Sequence, residues 1–199
     1  MKLLLFSDLH RNLEAARLLV EQSADADVVI GAGDFATKRK GLDEVIDVLS
    51  AIRKPAVLVC GNGESPDELR DACAVWPSAQ VLHGDGVSIS GVPFFGLGGA
   101  VPVTPLGAWS YDIAEADAAA LLEACPQGAV LVCHSPPLGH VDADGQGNAR
   151  GSEAILATVR RTEPVLMVCG HIHDGWTLRS REGRTEIINA GPGGVLYEL

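Results

Sequence analysis

The 199-residue chain carries a formal net charge of −11 at pH 7, with 47% hydrophobic and 21% charged residues. That balance suits one sizeable core in a single domain spanning residues 1–199. It disfavours general nucleic-acid binding, because most of the surface would repel a polyanion. No apolar stretch reaches the roughly 18 uninterrupted residues that cross a bilayer.

In chain order, the opening MKLLLF has the look of an export signal, but Ser7-Asp8 breaks it off within a few residues. Residues 2–6 therefore read as a buried first strand, and a cytoplasmic location is expected. Further short apolar runs at 27–32, 55–60, 128–133 and 165–169 read as strands buried on both faces. Helical spacing occupies 11–22, 41–53, 66–75, 114–124 and 151–162, with Ser110 or Asp112 as caps for the fourth helix and Ser152 for the fifth. Residues 80–99 suggest a hairpin turning at Gly84-Asp85-Gly86, and Trp176–Leu199 suggests antiparallel strands turning near Glu182-Gly183. Strand–helix alternation with antiparallel additions predicts an α/β fold with a parallel or mixed sheet covered by helices. The Gly- and Pro-rich stretches 98–112 and 134–149 are too long to be mere connectors, which makes them candidate functional surface. GLGGAV at 96–101 is no dinucleotide loop, since Pro102 and Pro105 block the helix such a loop must open.

Five cysteines are an odd count, and Cys60, Cys133 and Cys169 end apolar runs. They fit small core residues in a reducing compartment better than a disulfide framework.

The residues just past each apolar run carry the chemistry. Asp8 and His10 come after the first, Asp34 after the second and Asn62 after the third; His134 comes after the fourth, His171 and His173 after the fifth. In an open α/β sheet the carboxyl ends of the strands share one ligand-binding edge. A lone His there is readily a structural residue and a lone Asp a helix cap, but neither explains a donor at all five ends. Imidazole, carboxylate and one amide oxygen suit Mn, Fe, Zn, Co or Ni rather than a thiolate-held zinc. Seven donors exceed one tetrahedral ion; two ions sharing a carboxylate would use them all.

The ordered series Asp8-Leu9-His10, Gly33-Asp34, Gly61-Asn62-Gly63-Glu64, His134 and Gly170-His171-Ile172-His173 resembles the signature of the calcineurin-like metallophosphoesterases. The resemblance implies a four-layer α/β/β/α sandwich of two mixed sheets flanked by helices. It implies one divalent transition-metal ion (Mn first, with Fe, Zn, Ni or Co as options) on Asp8, His10, Asp34 and His173. A second would sit on Asp34, Asn62, His134 and His171, with Asp34 bridging. It implies hydrolysis of a small phosphoester: two cations about 3.5–4 Å apart lower the pKa of a bridging water and neutralise developing charge.

One departure is informative. Where many relatives carry His after the metal-binding Asn, this chain has Gly63, and it retains Glu64. Without that imidazole, protonation of a poor leaving group weakens, and similar relatives are regarded as phosphodiesterases. A phosphodiesterase with Asp34, Asn62 and Glu64 at its catalytic centre is the expectation, with His140 in HSPPLGHVD as a substitute acid or else an exposed loop residue. A phosphomonoesterase or protein phosphatase, or a non-catalytic module on the same fold, are the alternatives. Lys38-Arg39-Lys40 either holds a substrate phosphate or forms a solvated loop. Asn12 is expected to orient ligands or phosphate, and Asn189 in INAGPGG to sit behind the metals. Trp109 and Tyr111 either stack on a base or aryl group or form their loop's own core. An apolar surface on 98–112 would permit a homodimer.

Overall fold

The computed structural model describes residues 1–199. The first sheet contains β1 (Lys2–Phe6), β2 (Val28–Ala32), β3 (Ala56–Val59), β4 (Ala79–Val81) and β11 (Val195–Glu198), in the order β11-β1-β2-β3-β4. The second contains β5 (Asp85–Ile89), β6 (Val92–Leu97), β7 (Val130–Cys133), β8 (Leu166–Cys169), β9 (Arg179–Glu182) and β10 (Thr185–Asn189), in the order β5-β6-β7-β8-β10-β9. Both are mixed. Parallel pairing runs through β1 to β4 and from β6 through β7 and β8 to β10, while β11, β5 and β9 add antiparallel edges.

Period-two alternation decides which layer each side chain joins. Leu3 and Leu5 enter a buried cluster shared with Val130, Val132, Leu166 and Val168, so the two sheets pack face to face. Leu4 and Phe6 point the other way, into a cluster with the helices α1 (Leu13–Gln22), α2 (Leu42–Leu49) and α3 (Pro66–Ala72). On the far side, Leu131 and Met167 pack against α4 (Glu115–Leu122) and α5 (Glu153–Thr162). The layers are α/β/β/α, as the resemblance implied. Residues on both faces of the central strands are buried, which is why they read as unbroken apolar runs.

Three details differ from the sequence reading. The ligand-bearing strand ends belong to two sheets rather than one, and the sheets bring those ends to a common rim. The hairpin turns at Ser90-Gly91, both at positive φ, instead of at 84–86. Gly86 pairs with Phe95 inside β5, where a Cβ would lie 2.5 Å from the Phe94 carbonyl oxygen. Helix α4 begins after Ala114 with no side-chain cap, whereas Ser152 does cap α5, accepting from the Ile155 N–H. All five cysteines are buried and free, and no helix is long and apolar enough to cross a membrane.

Candidate metal centre

The turns that follow the central strands are backbone outliers. Asp8, His10, Asp34 and His171 have φ of 56°, 45°, 57° and 68°. A non-glycine residue held in that left-handed region costs about 1–3 kcal/mol and persists only where its surroundings over-determine it. Here the loops bind one another: the Asp8 N–H donates to the Gly33 carbonyl and the His10 N–H to that of Asp34, each at 2.9 Å. These turns leave Asp8, His10 and Asp34 at the rim, while Leu9 and Phe35 beside them enter the core.

Two groups of ligand atoms result, each lying within 4.8 Å of one another: Asp8, His10 and His173, and Asp8, Asp34 and His134. Asp34 faces both sides. Its Oδ2 lies 3.5 Å from His10 Nε2, and its Oδ1 lies 3.6 Å from His134 Nε2. His10 and His173 bring their Nε2 atoms to 3.0 Å, and the His171 ring stands beside that of His134 at 4.9 Å between centroids. Asn62 places its Oδ1 3.2 Å from His134 Nε2. The His134 side is sealed, with His134 at 0% and Asn62 at 3% exposure. The side chains of His10 and His173 are 30% and 50% exposed, so the centre opens to solvent on their side.

Proton accounting shows what these residues fit. His134 Nδ1 donates to the Ala32 carbonyl at 2.8 Å, so a neutral ring turns a lone pair on Nε2 toward Asn62 Oδ1 and Asp34 Oδ1. Three electron-rich atoms then confront one another with no proton between them. The position demands positive charge. Burial alone would lower the pKa of His134, but the carboxylates of Asp34 and Asp8 outweigh it and push the value up. A proton answers that demand in part, and a divalent cation answers it fully. Burial, reinforced by His134, pushes His171 down to about 3, and burial with His10 lowers His173, which leaves neutral rings able to ligate. The donor set fits the metals the sequence implied.

Around the donors lies a shell that fixes them. Asp8 Oδ2 accepts from Ser7 Oγ at 2.6 Å and from the Trp176 indole N–H at 3.1 Å, and the Trp176 ring lies 4.5 Å from that of His173. Glu64 is wholly buried, and its carboxylate accepts from the N–H groups of Gly61, Phe35 and Ala36, joining the loops after β2 and β3. Burial and the nearby Asp34 raise its pKa to about 7 against those donors. Glu64 thus faces backbone and not the open side, a positioning role instead of the catalytic one expected. Asn189 does sit behind the centre, donating to the carbonyls of Gly170 and Ile172. Trp176 was missed because nothing in WTLRS marks a partner 168 positions away.

Other expectations shift. Both ring nitrogens of His140 are engaged by β9, Nδ1 with Ser180 Oγ at 3.2 Å and Nε2 with Glu182 Oε2 at 3.1 Å. The substitute-acid role has no support in that geometry. Asn12 caps α1 by accepting from the Ala15 N–H. Lys38 and Arg39 form a tight turn at positive φ. Arg39 is tied to Glu68 and the Trp109 carbonyl, while Lys38 Nζ lies 5.5 Å from the centre of the Trp109 ring. Tyr111 is anchored by its N–H to the Asn62 carbonyl and pairs its hydroxyl with His83.

A face-to-face sheet sandwich with adjoining His and carboxylate clusters on its shared rim is a candidate metal centre. The chain belongs to the calcineurin-like phosphoesterase superfamily, whose domain model matches residues 1–196. It is 30% identical over 211 aligned positions to the Caenorhabditis elegans UPF0046 protein K07C11.7, covering 96% of this chain and 69% of that protein. Its fold is similar to that of TT1561 of Thermus thermophilus (TM-score 0.76, 18% identity, 96% of this chain and 90% of that one). It is also similar to that of a dimetal phosphatase from Danio rerio (TM-score 0.62, 15% identity, 96% and 88%). The protein is a metal-dependent phosphoesterase.

Proposed function

We propose that the protein is a dinuclear phosphodiesterase acting on small phosphodiesters, fastest where the leaving group is aryl or otherwise good. The observation that carries this reading is Asp34 facing two donor groups with its two oxygens, beside the uncompensated lone pairs at His134. On this reading Asp8, His10, Asp34 and His173 hold one ion, and Asp34, Asn62, His134 and His171 hold the other, manganese being the first choice for both. Bound there, the pair supplies an activated water and offsets charge on the phosphoryl group.

The chain's own residues do the rest. His10 and His173, the more exposed members of the donor set, border the entrance to the centre. Trp176 and Ser7 fix the Asp8 carboxylate, and Glu64 holds the Asp34 and Asn62 loops at a set separation. At residue 63 there is no imidazole to protonate a departing alkoxide, and His140 is committed to β9. Turnover then follows leaving-group acidity.

The test is a parallel assay of bis(4-nitrophenyl) phosphate and 4-nitrophenyl phosphate with Mn2+, before and after chelation. Faster diester turnover, lost with the chelator and regained with metal, is expected. A large monoester preference overturns the diester reading, and turnover untouched by chelation overturns the metal reading. A cytoplasmic enzyme working without a nucleic-acid or membrane partner completes the proposal.

A further inference from the structure

We infer that Ser110 and Asp112, in the long loop between β6 and α4, are positioning residues that set the amide orientation of Asn62 and thereby create the second metal position. The inference rests on the dinuclear reading above and goes beyond it, because neither residue belongs to the donor set.

A carboxamide has two ends of similar size and opposite chemistry. Asn62 is useful to a cation only with its oxygen turned to His134, and flipped it would present an N–H2 that repels a cation. What selects the orientation is a count of protons. Ser110 has one hydroxyl proton, and that proton goes to Asp112 Oδ1. The other carboxylate oxygen, Oδ2, accepts from both the Thr104 N–H at 2.9 Å and the Thr104 hydroxyl at 2.8 Å. With its only proton committed, Ser110 Oγ can act toward Asn62 solely as an acceptor. It meets Asn62 Nδ2 at 2.9 Å. The amide N–H2 is therefore drawn to the loop, and Oδ1 is left facing His134 Nε2 at 3.2 Å.

The backbone repeats the linkage, since the Tyr111 N–H donates to the Asn62 carbonyl at 3.0 Å. Ser110 thus lies next to a fixed point, and its hydroxyl has little freedom to leave the amide. The first donor group, Asp8, His10 and His173, has no contact with this relay. Because the two positions share only Asp34, an orientation lock on Asn62 should act chiefly on the position that Asn62 serves and much less on the other. Partners of this kind beyond a ligand typically change metal affinity 10–100-fold when removed.

The experiment is a titration of the metal-free protein with Mn2+, followed by loss of the free-ion electron paramagnetic resonance signal, on the parent and on Ser110→Ala, Ser110→Thr and Asp112→Asn. The parent is expected to take up two ions. Ser110→Ala is expected to keep one site at parental affinity and weaken the other by about 10–100-fold, and Ser110→Thr to restore it. Asp112→Asn is the sharper variant: its own amide can donate to Ser110, which frees the hydroxyl proton to attract Asn62 Oδ1, so the same site should weaken with Ser110 still in place. Thermal unfolding of the metal-free variants separates positioning from folding. Two parental affinities in both Ser110→Ala and Asp112→Asn overturn the inference, as does equal weakening of both sites together with a lowered melting temperature. A parent that itself takes up fewer than two ions instead overturns the dinuclear reading beneath it.

Discussion

At the scale of single residues, the pair of glycines around Asn62 does two different jobs. A Cβ on Gly61 would fall 2.0 Å from Asp34 Oδ1, so the two loops can meet only if this residue is glycine. Gly63 is less constrained, because a Cβ there would lie 3.0 Å from the Ala36 carbonyl oxygen and 3.2 Å from Asp34 Oδ1. Its neighbours need give only a few tenths of an ångström. Gly63→His should therefore fold, keep the N–H that donates to Asp34, and add the acid the centre lacks. We expect turnover of alkyl phosphodiesters to rise at least tenfold, while 4-nitrophenyl esters change little, because general-acid help is worth most to poor leaving groups. Steady-state kinetics on the two substrate series check this. An equal change in both would mean the substitution acts through the metals and not on the leaving group.

At the scale of elements, α4 and α5 show how a fold reading from sequence can be right about a helix and blind to what anchors it. Glu115, in the first turn of α4, accepts from Ser152 Oγ and from the N–H groups of Glu153 and Ala154, so it closes the N-terminus of α5 from outside. Glu115→Ala should cost about 1–2 kcal/mol of stability, the scale of a lost N-terminal cap, read as a lower urea midpoint with unchanged metal uptake. The helical spacing of both segments, the amphipathic face of α5 and its cap Ser152 were legible, because each is a local pattern. The same holds for β1, β2, β3, β7 and β8, whose burial on both faces writes continuous apolar runs. The short β4 was absorbed into a hairpin because Ala79-Gln80-Val81 has too few residues for a period to show. Gly84-Asp85-Gly86 imitated a turn because the packing of Phe94 against Gly86 cannot be seen from one strand alone. The seven donors were visible for a related reason: strand ends are local features. Trp176 on Asp8, Glu64 on three backbone N–H groups and Ser110 on Asn62 are contacts between distant segments, and nothing in their own neighbourhoods announces them.

At the scale of the whole molecule, the donors come from both sheets. Asp8, His10, Asp34 and Asn62 follow strands of the first, while His134, His171 and His173 follow strands of the second. Ions bound among them would fasten the sheets at the rim, just above the apolar layer they share. Binding to the folded state alone stabilises by about 2.7 kcal/mol at a hundredfold excess over Kd. For a chain of this size that corresponds to a rise in Tm of about 5–10 °C. Calorimetry of the metal-free protein with and without Mn2+ should show that rise, and Asp34→Ala should remove most of it. No rise would mean that Mn2+ does not bind the folded chain in preference to the unfolded one.

On the proposed reading, two cations share Asp34. Anomalous diffraction from crystals soaked in Mn2+ tests it most directly. Two peaks flanking the Asp34 carboxylate, one beside His10 and His173 and the other beside Asn62 and His134, are the predicted result. A single peak, or peaks that leave Asp34 untouched, would contradict it.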